Sequence, residues 1–121
     1  MKKGLFLTSV LLVLTILTIS NSCKKDKPIP SITFALTEGV ANANGEYTIT
    51  GIIHSDVSLS KVILTKEGAT SPFFTDDTTA KNKNDYNFSY LITGITANTY
   101  IVFDIYDLNG GKQTTKFLIR K

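Results

Sequence analysis

The sequence predicts an all-β domain over residues 31–121, folded as a two-sheet antiparallel sandwich of about seven strands. Apolar residues recur there at every second position, which is the period of a half-buried strand. β-Branched and aromatic residues dominate the same segments, and glycine, asparagine and aspartate separate them at short intervals. Helical spacing is absent from this part of the chain, so we expect no helix in it.

Each strand is predicted from the alternation of apolar and polar residues within its own segment. In chain order, the strands are expected at residues 31–36, 46–54, 59–65, a short segment around Phe73 and Phe74, 86–93, 99–106 and 113–120. The positions expected on the core side of these strands are Ile32, Phe34, Leu36, Tyr47, Ile49, Gly51, Ile53, Val62, Leu64, Phe88, Tyr90, Ile92, Ile101, Phe103, Ile105, Phe117 and Ile119. Turn residues lie between these segments, at Asn44-Gly45, Ser55-Asp56, Glu67-Gly68, residues 82–85 and residues 107–111.

The first 22 residues read as an export signal. Lys2 and Lys3 supply positive charge, and a mainly apolar run follows from Leu5 to Ile19. This run is shorter than the roughly 20 apolar residues that a membrane-spanning helix needs, and it fits the core of a cleaved signal peptide. We therefore predict a lipoprotein signal peptide over residues 1–22.

Cys23, the only cysteine, follows this run directly in the segment Ser20-Asn21-Ser22-Cys23. The arrangement resembles the lipobox of bacterial lipoproteins, although that family usually has leucine at the position of Ser20. The resemblance implies that a diacylglyceryl group is attached to the Cys23 thiol and that the chain is cut before it. A buried structural thiol and an uncleaved signal anchor are the alternatives.

Residues 23–30 form the predicted lipidated cysteine and spacer. Lys24-Lys25-Asp26-Lys27-Pro28 resembles the start of mature Bacteroidetes-type lipoproteins. That resemblance implies an outer-membrane lipoprotein, facing either the periplasm or the cell surface. The partner expected at this end of the chain is the membrane, reached through the lipidated N-terminus.

The positive net charge of the chain does not indicate a nucleic-acid partner. Residues 28–121 hold eight basic and nine acidic side chains, a net charge of −1. This part of the chain has no cluster of lysine or arginine that could neutralise a row of phosphates, so we expect no nucleic-acid binding.

Several short stretches are similar to bacterial immunoglobulin-like and fibronectin-type-III-like modules. They are Gly51, Ser55-Asp56 before Leu59-Ser60-Lys61-Val62, and residues 100–107 followed by Asn109-Gly110. The resemblance implies an immunoglobulin-like sandwich, without the Cys…Trp…Cys hallmark of antibody domains. In the fibronectin-like pattern a tyrosine near Tyr100 folds inward, whereas the alternation here leaves Tyr100 out of phase with the core.

The sequence offers few groups for catalysis, and we expect no enzyme, no cofactor and no metal. His54 is the only histidine, and its neighbours Ser55 and Asp56 are typical of a turn rather than of a catalytic triad. A calcium site formed by Asp76-Asp77, Asp85 and Asp107 is an alternative to solvated turn residues. Asp77-Thr78-Thr79 also resembles the O-glycosylation acceptor motif of Bacteroidetes-type exported proteins, which makes Thr78 or Thr79 a candidate.

The same alternation predicts a partner surface on the outside of the sandwich. If Ile101, Phe103 and Ile105 face the core, then neighbouring side chains of three adjacent strands face outwards. These are Ile63, Tyr100, Val102, Tyr106 and Leu118, flanked by Lys61, Lys116 and Arg120. Exposed tyrosines and aliphatics often mark a protein- or sugar-binding surface. A bulge that shifts the strand alternation by one residue would turn these side chains inward, and residues 66–85 could instead cover this surface; either would remove the predicted partner surface.

Two functions are open at this point. The first is a lipid-anchored binding or adhesion module that presents the sandwich surface to a protein or a glycan of the cell envelope. The second is a structural accessory subunit of an envelope complex, such as a polysaccharide-uptake system.

Overall fold

Eight strands form in residues 28–121, the part of the chain that the structure, a computed structural model, describes. They are β1 (Ser31–Phe34), β2 (Glu38–Val40), β3 (Tyr47–His54), β4 (Leu59–Lys66), β5 (Phe74–Asp76), β6 (Asp85–Ile92), β7 (Thr99–Asp107) and β8 (Lys112–Arg120). The predicted signal peptide and Cys23 lie outside the described residues. Within the described part, no helix is long and apolar enough to cross a membrane.

The strands form two sheets, which confirms the predicted all-β sandwich. One sheet has three strands in the order β1-β3-β6, and the other has five in the order β2-β8-β7-β4-β5. All neighbouring strands are antiparallel except β2 and β8, which are parallel. The side chains expected to face the core do so from both sheets, with Leu36 as the exception.

The prediction that Leu36 faces the core is wrong, because the first strand ends two residues earlier. The Ala35 N–H still donates to the Thr50 carbonyl, and the chain then leaves this sheet. It joins the other sheet as β2, a strand that the sequence did not predict, and Leu36 in the crossover is 62% exposed. At this crossover the Tyr47 ring packs directly on the backbone of Gly39, where a Cβ atom would meet the ring at 2.3 Å.

Aromatic rings fill the space between the two sheets. The Phe34 ring lies 5.0 Å from Phe117, 5.2 Å from Phe103 and 6.1 Å from Phe88, measured between ring centroids. Pairs at these separations stabilise a core by about 0.5–1.5 kcal/mol beyond the area that they bury. Phe34 belongs to the three-stranded sheet and Phe103 and Phe117 to the five-stranded sheet, so these contacts join the two layers.

Gly51 in β3 allows β1 and the Phe88 ring to approach its backbone closely. A Cβ atom at this position would lie 2.4 Å from the Thr33 carbonyl oxygen and 2.8 Å from the Phe88 ring. The Thr33 oxygen belongs to the backbone and cannot rotate away as a flexible side chain could. The small residue therefore allows Phe88 to pack against the sheet.

We expect Gly51→Ala to destabilise the chain by about 1–3 kcal/mol, because the added methyl group overpacks this contact. Urea unfolding should show the loss, while Thr50→Ala, at the exposed neighbouring position, should change the stability by less than about 1 kcal/mol. Equal stability of Gly51→Ala and the parent chain would contradict the close approach.

Candidate functional site

The residues of the predicted partner surface lie together on the outer side of the five-stranded sheet. Tyr100 is opposite Leu118 in the β7–β8 register, and Ile63 on β4 is opposite Asp104. Tyr100 is 42% exposed, and Ile63, Val102, Tyr106 and Leu118 are half-buried. We call these five residues, with the lysines described next, the outer face.

Lysine side chains lie over the tyrosine rings of the outer face instead of only flanking it. The Lys61 and Lys112 Nζ atoms are 5.2 and 5.4 Å from the Tyr106 ring centroid. The Lys116 Nζ atom is 5.3 Å from the centroid of Tyr100. These are cation–π distances, so the face combines aromatic surface with positive charge. Sequence reasoning named Lys61 and Lys116 but missed Lys112, whose position opposite Tyr106 depends on the β7–β8 register.

Carboxylates neutralise part of this charge. Lys116 pairs with Glu67 and Arg120 with Glu38, while Lys112 lies 3.7 Å from Asp104. Contact with the Tyr106 hydroxyl, followed by the charge of Asp104, raises the pKa of Lys112, and Glu67 raises the pKa of Lys116. Both lysines therefore stay cationic at neutral pH. Lys61 has no carboxylate within 4.0 Å among the described residues, which leaves its charge open to a ligand.

Asp76, considered as a calcium ligand from the sequence, is instead a buried hydrogen-bond acceptor. Only 4% of it is exposed, and its Oδ1 accepts the N–H groups of Thr78, Thr79 and Ala80 at 2.9–3.3 Å. Its Oδ2 accepts the hydroxyls of Thr79, Tyr86 and Tyr90 at 2.6, 3.3 and 2.8 Å. The carboxylate thus ties the turn after β5 to two tyrosines of β6, across the two sheets.

These hydrogen bonds keep Asp76 ionised. Burial alone would raise the pKa of Asp76, but the hydrogen bonds from Thr79, Tyr90 and the backbone outweigh it and hold the pKa below its usual 3.8. Burial, and after it the hydrogen bond to Asp76, raises the pKa of Tyr90 above its usual 10.0. Tyr90 therefore remains a neutral donor to a charged acceptor, which is a strong hydrogen bond.

The other carboxylates considered for calcium do not converge with Asp76. Asp107 accepts the N–H groups of Asn109 and Gly111 at 2.8 and 2.7 Å and so shapes the β7–β8 turn. Asp85 pairs with His54. In residues 28–121, no group of three or more His, Cys, Asp or Glu side chains could hold a metal ion. The described residues therefore assemble no ligand set for calcium.

His54 lies between two carboxylates at the surface. Its Nδ1 is 2.6 Å from Asp85 Oδ1 and its Nε2 is 3.2 Å from Asp56 Oδ1, with more than half of the imidazole exposed. The contact with Asp85, followed by that with Asp56, raises the pKa of His54 above 6.5. The Ser55 hydroxyl donates to the Val57 carbonyl. The neighbouring serine is therefore engaged with its own turn and gives no sign of a catalytic triad.

The two threonines of the glycosylation-like motif differ in their contacts. The Thr79 hydroxyl is tied to Asp76 and lies 2.8 Å from the Tyr86 hydroxyl. Thr78 is exposed, and its backbone N–H, not its hydroxyl, contacts Asp76. Both threonines are exposed, so the two candidates differ in the hydrogen bonding of the Thr79 hydroxyl and not in burial.

We expect Asp76→Asn to cost about 1–3 kcal/mol at pH 7, because an amide NH₂ group replaces an oxygen that accepts three hydroxyls. Since the folded-state pKa of Asp76 is lowered, its stabilising contribution is present above pH 3.8 and is lost as the pH falls through the folded-state value. Urea unfolding at pH 7 and at pH 3 should therefore show a difference between the two chains that shrinks in acid. Asp77→Asn, at an exposed neighbour, is the matched control. A difference that stays constant between these pH values would contradict this role of the charge.

Comparison with known proteins gives a fold and no family. No protein-family model and no curated protein matches the chain. Among solved structures, it is similar to one of Clostridium thermocellum CbhA fibronectin(III)-like modules, with a TM-score of 0.54 and 17% sequence identity. The match covers 79% of this chain and 48% of that chain, so this chain spans about half the length of that structural neighbour. At this identity the likeness shows the fold alone, a fibronectin-type-III-like sandwich.

Proposed function

We propose that this chain is a lipid-anchored module of the bacterial cell envelope that binds a protein or a glycan through its outer face. A fibronectin-type-III-like sandwich is compatible with a binding or a structural role. The binding role is supported by the side chains of the outer face, because a fold shared by many proteins does not by itself determine function.

The arrangement of the outer face is the observation that carries this proposal. Tyr100 is 42% exposed beside the half-buried Val102 and Leu118, and lysines border both tyrosine rings. Tyrosine offers a flat apolar ring and a polar hydroxyl to a ligand. The lysines add hydrogen-bond donors suited to the hydroxyl and carboxylate groups of glycans or to acidic peptide side chains.

The direction in which the chain enters the sandwich supports display of Tyr100 away from the membrane. Ser31 at the start of β1 pairs with His54 at the end of β3, and the next strand begins at Leu59, opposite Asp107. The chain therefore enters at the end of the sandwich where β7 finishes. Tyr100 lies seven residues back along β7, which is roughly 23 Å at 3.3 Å per residue.

The anchor itself is supported by the sequence. Charged residues precede an apolar run of signal-peptide length, small residues lead to Cys23, and a charged spacer follows. Two or more lipid chains on one cysteine give stable membrane attachment, whereas a single chain gives only marginal binding.

The anchor is tested by growing bacteria that make the full chain with an alkyne-bearing fatty acid. We expect the chain to take up the label and to sediment with membranes, because Cys23 carries the lipid. Cys23→Ser should lose the label and retain residues 1–22, which mass spectrometry detects. Ser22→Ala keeps a small residue before the cysteine and should behave as the parent chain. A parent chain without label, or label on Cys23→Ser, would overturn the anchor.

The binding face is tested with the full chain in detergent, applied to immobilised envelope polysaccharide and to envelope proteins. We expect Tyr100→Ser combined with Val102→Ser to weaken retention at least ten-fold, because both side chains face outwards. The matched control is Thr48→Ser with Thr50→Ser on the outer side of the other sheet. Equal retention of both variants would contradict the proposal. Retention on one envelope protein that survives the changes in the outer face would instead favour the structural accessory subunit.

A further inference from the structure

Among the described strands, β6 has the longest edge without a neighbouring strand. Residues 112–117 of β8 also lack a neighbour on one side, because β2 pairs only with residues 118–120. The strands that end the two sheets are β1, β2, β5 and β6. Three of them have only three or four residues, whereas β6 has eight. Short edge strands offer little backbone to another chain, and a long one is a ready site for strand pairing.

The register shows which backbone groups of β6 point outwards. The Ser55 N–H donates to the Asn84 carbonyl at 2.7 Å, which continues the β3–β6 ladder by one pair. Because hydrogen-bonded pairs alternate along an antiparallel ladder, even-numbered residues 86–92 bond to β3. The N–H and C=O groups of Asp85, Asn87, Ser89 and Leu91 therefore point away from the sheet. Among residues 28–121, no loop backbone is bonded to them.

The edge carries none of the features that usually prevent pairing. Residues 86–92 contain no lysine, arginine or proline, and Asp85 at one end is the only charged residue of the strand. Leu91 is 61% exposed on the outer side of this edge strand. An edge that is long, almost uncharged and partly apolar favours association.

Exposed aromatic residues lie beside the same edge. Phe73 and Phe74 are 42% and 40% exposed, and the Phe74 ring is 5.1 Å from the Tyr90 ring. An open cavity of about 250 Å³ is lined by Phe74, Ser89, Tyr90 and Leu91. β5 ends the five-stranded sheet on this side of the sandwich, so a strand added to β6 would also cover these rings.

We propose that β6 pairs antiparallel with β6 of a second copy of this chain, about a two-fold axis through Phe88. This register sets Asp85 opposite Leu91 of the second copy and Asn87 opposite its Ser89. All four outward-facing residues of each copy then exchange both backbone bonds, about eight bonds in total. No like charges face each other, and the same patch serves both copies, as a two-fold interface requires. The pairing does not use the outer face, so it is independent of the function proposed above.

Sedimentation of the full chain in density-matched detergent tests this pairing. The Ser89 N–H points outwards, so Ser89→Pro removes a hydrogen bond to the second copy and none within the sheet. We expect the parent chain and Ser89→Ala, which keeps the N–H group, to form dimers. Ser89→Pro should raise the dimer dissociation constant at least ten-fold. A parent chain that stays monomeric, or a Ser89→Pro dimer of unchanged affinity, would overturn the proposal.

If Ser89→Pro does not fold, amide hydrogen exchange of the parent chain tests the β6–β6 pairing instead. In a β6-paired dimer, the amides of Asn87, Ser89 and Leu91 should exchange slowly, as those of Phe88 and Tyr90 should because of their bonds to β3. Dilution to the monomer should increase the exchange rate only of the three outward-facing amides. Rapid exchange of these three amides in a sample that sediments as a dimer would place the interface elsewhere and overturn the proposal.

Discussion

The contact of the Phe34 ring with Phe88, Phe103 and Phe117 is the interaction on which the rest of this sandwich depends. Cys23 is the only cysteine, so no disulfide within the chain can join the two sheets. The sheets are held by burial of their facing side chains, and Phe34 reaches from the first strand into the opposite layer. Gly51 makes room for this packing, since the backbone of β1 and the Phe88 ring both lie where its side chain would be.

Asp76 joins the two sheets by a different kind of interaction, through hydrogen bonds from two tyrosines of β6. A buried charge without partners costs several kcal/mol, whereas this carboxylate accepts hydrogen bonds from six donors in its own turn and in β6. The contacts of the core and of this carboxylate hold the two sheets together, and they do not involve the outward side chains of β7. Those side chains are therefore not needed to join the two sheets.

Alternation within single strands made much of the fold predictable from the sequence. Ile101, Phe103 and Ile105 face the core and Tyr100 does not, because a strand shows successive side chains to opposite faces. β2 was missed because three residues, one of them glycine, carry no alternation, and their pairing depends on β8, some 80 residues away. The outward-facing positions of the outer face were predictable where they follow from the alternation within a single strand. The lysines over Tyr106, the pairing of His54 with Asp85 and the six donors to Asp76 depend on register and on tertiary contact, which no local pattern contains.

We propose a division of β7, in which the inner side chains stabilise the fold and the outward side chains meet a partner at the envelope. Photocrosslinking in intact cells tests it most directly, with p-benzoylphenylalanine in place of Tyr100 on β7 or of Thr33 on the outer side of the other sheet. We expect adducts of the full chain to an envelope component from position 100 and none from position 33. Adducts from position 33 alone, or from neither position, would contradict it.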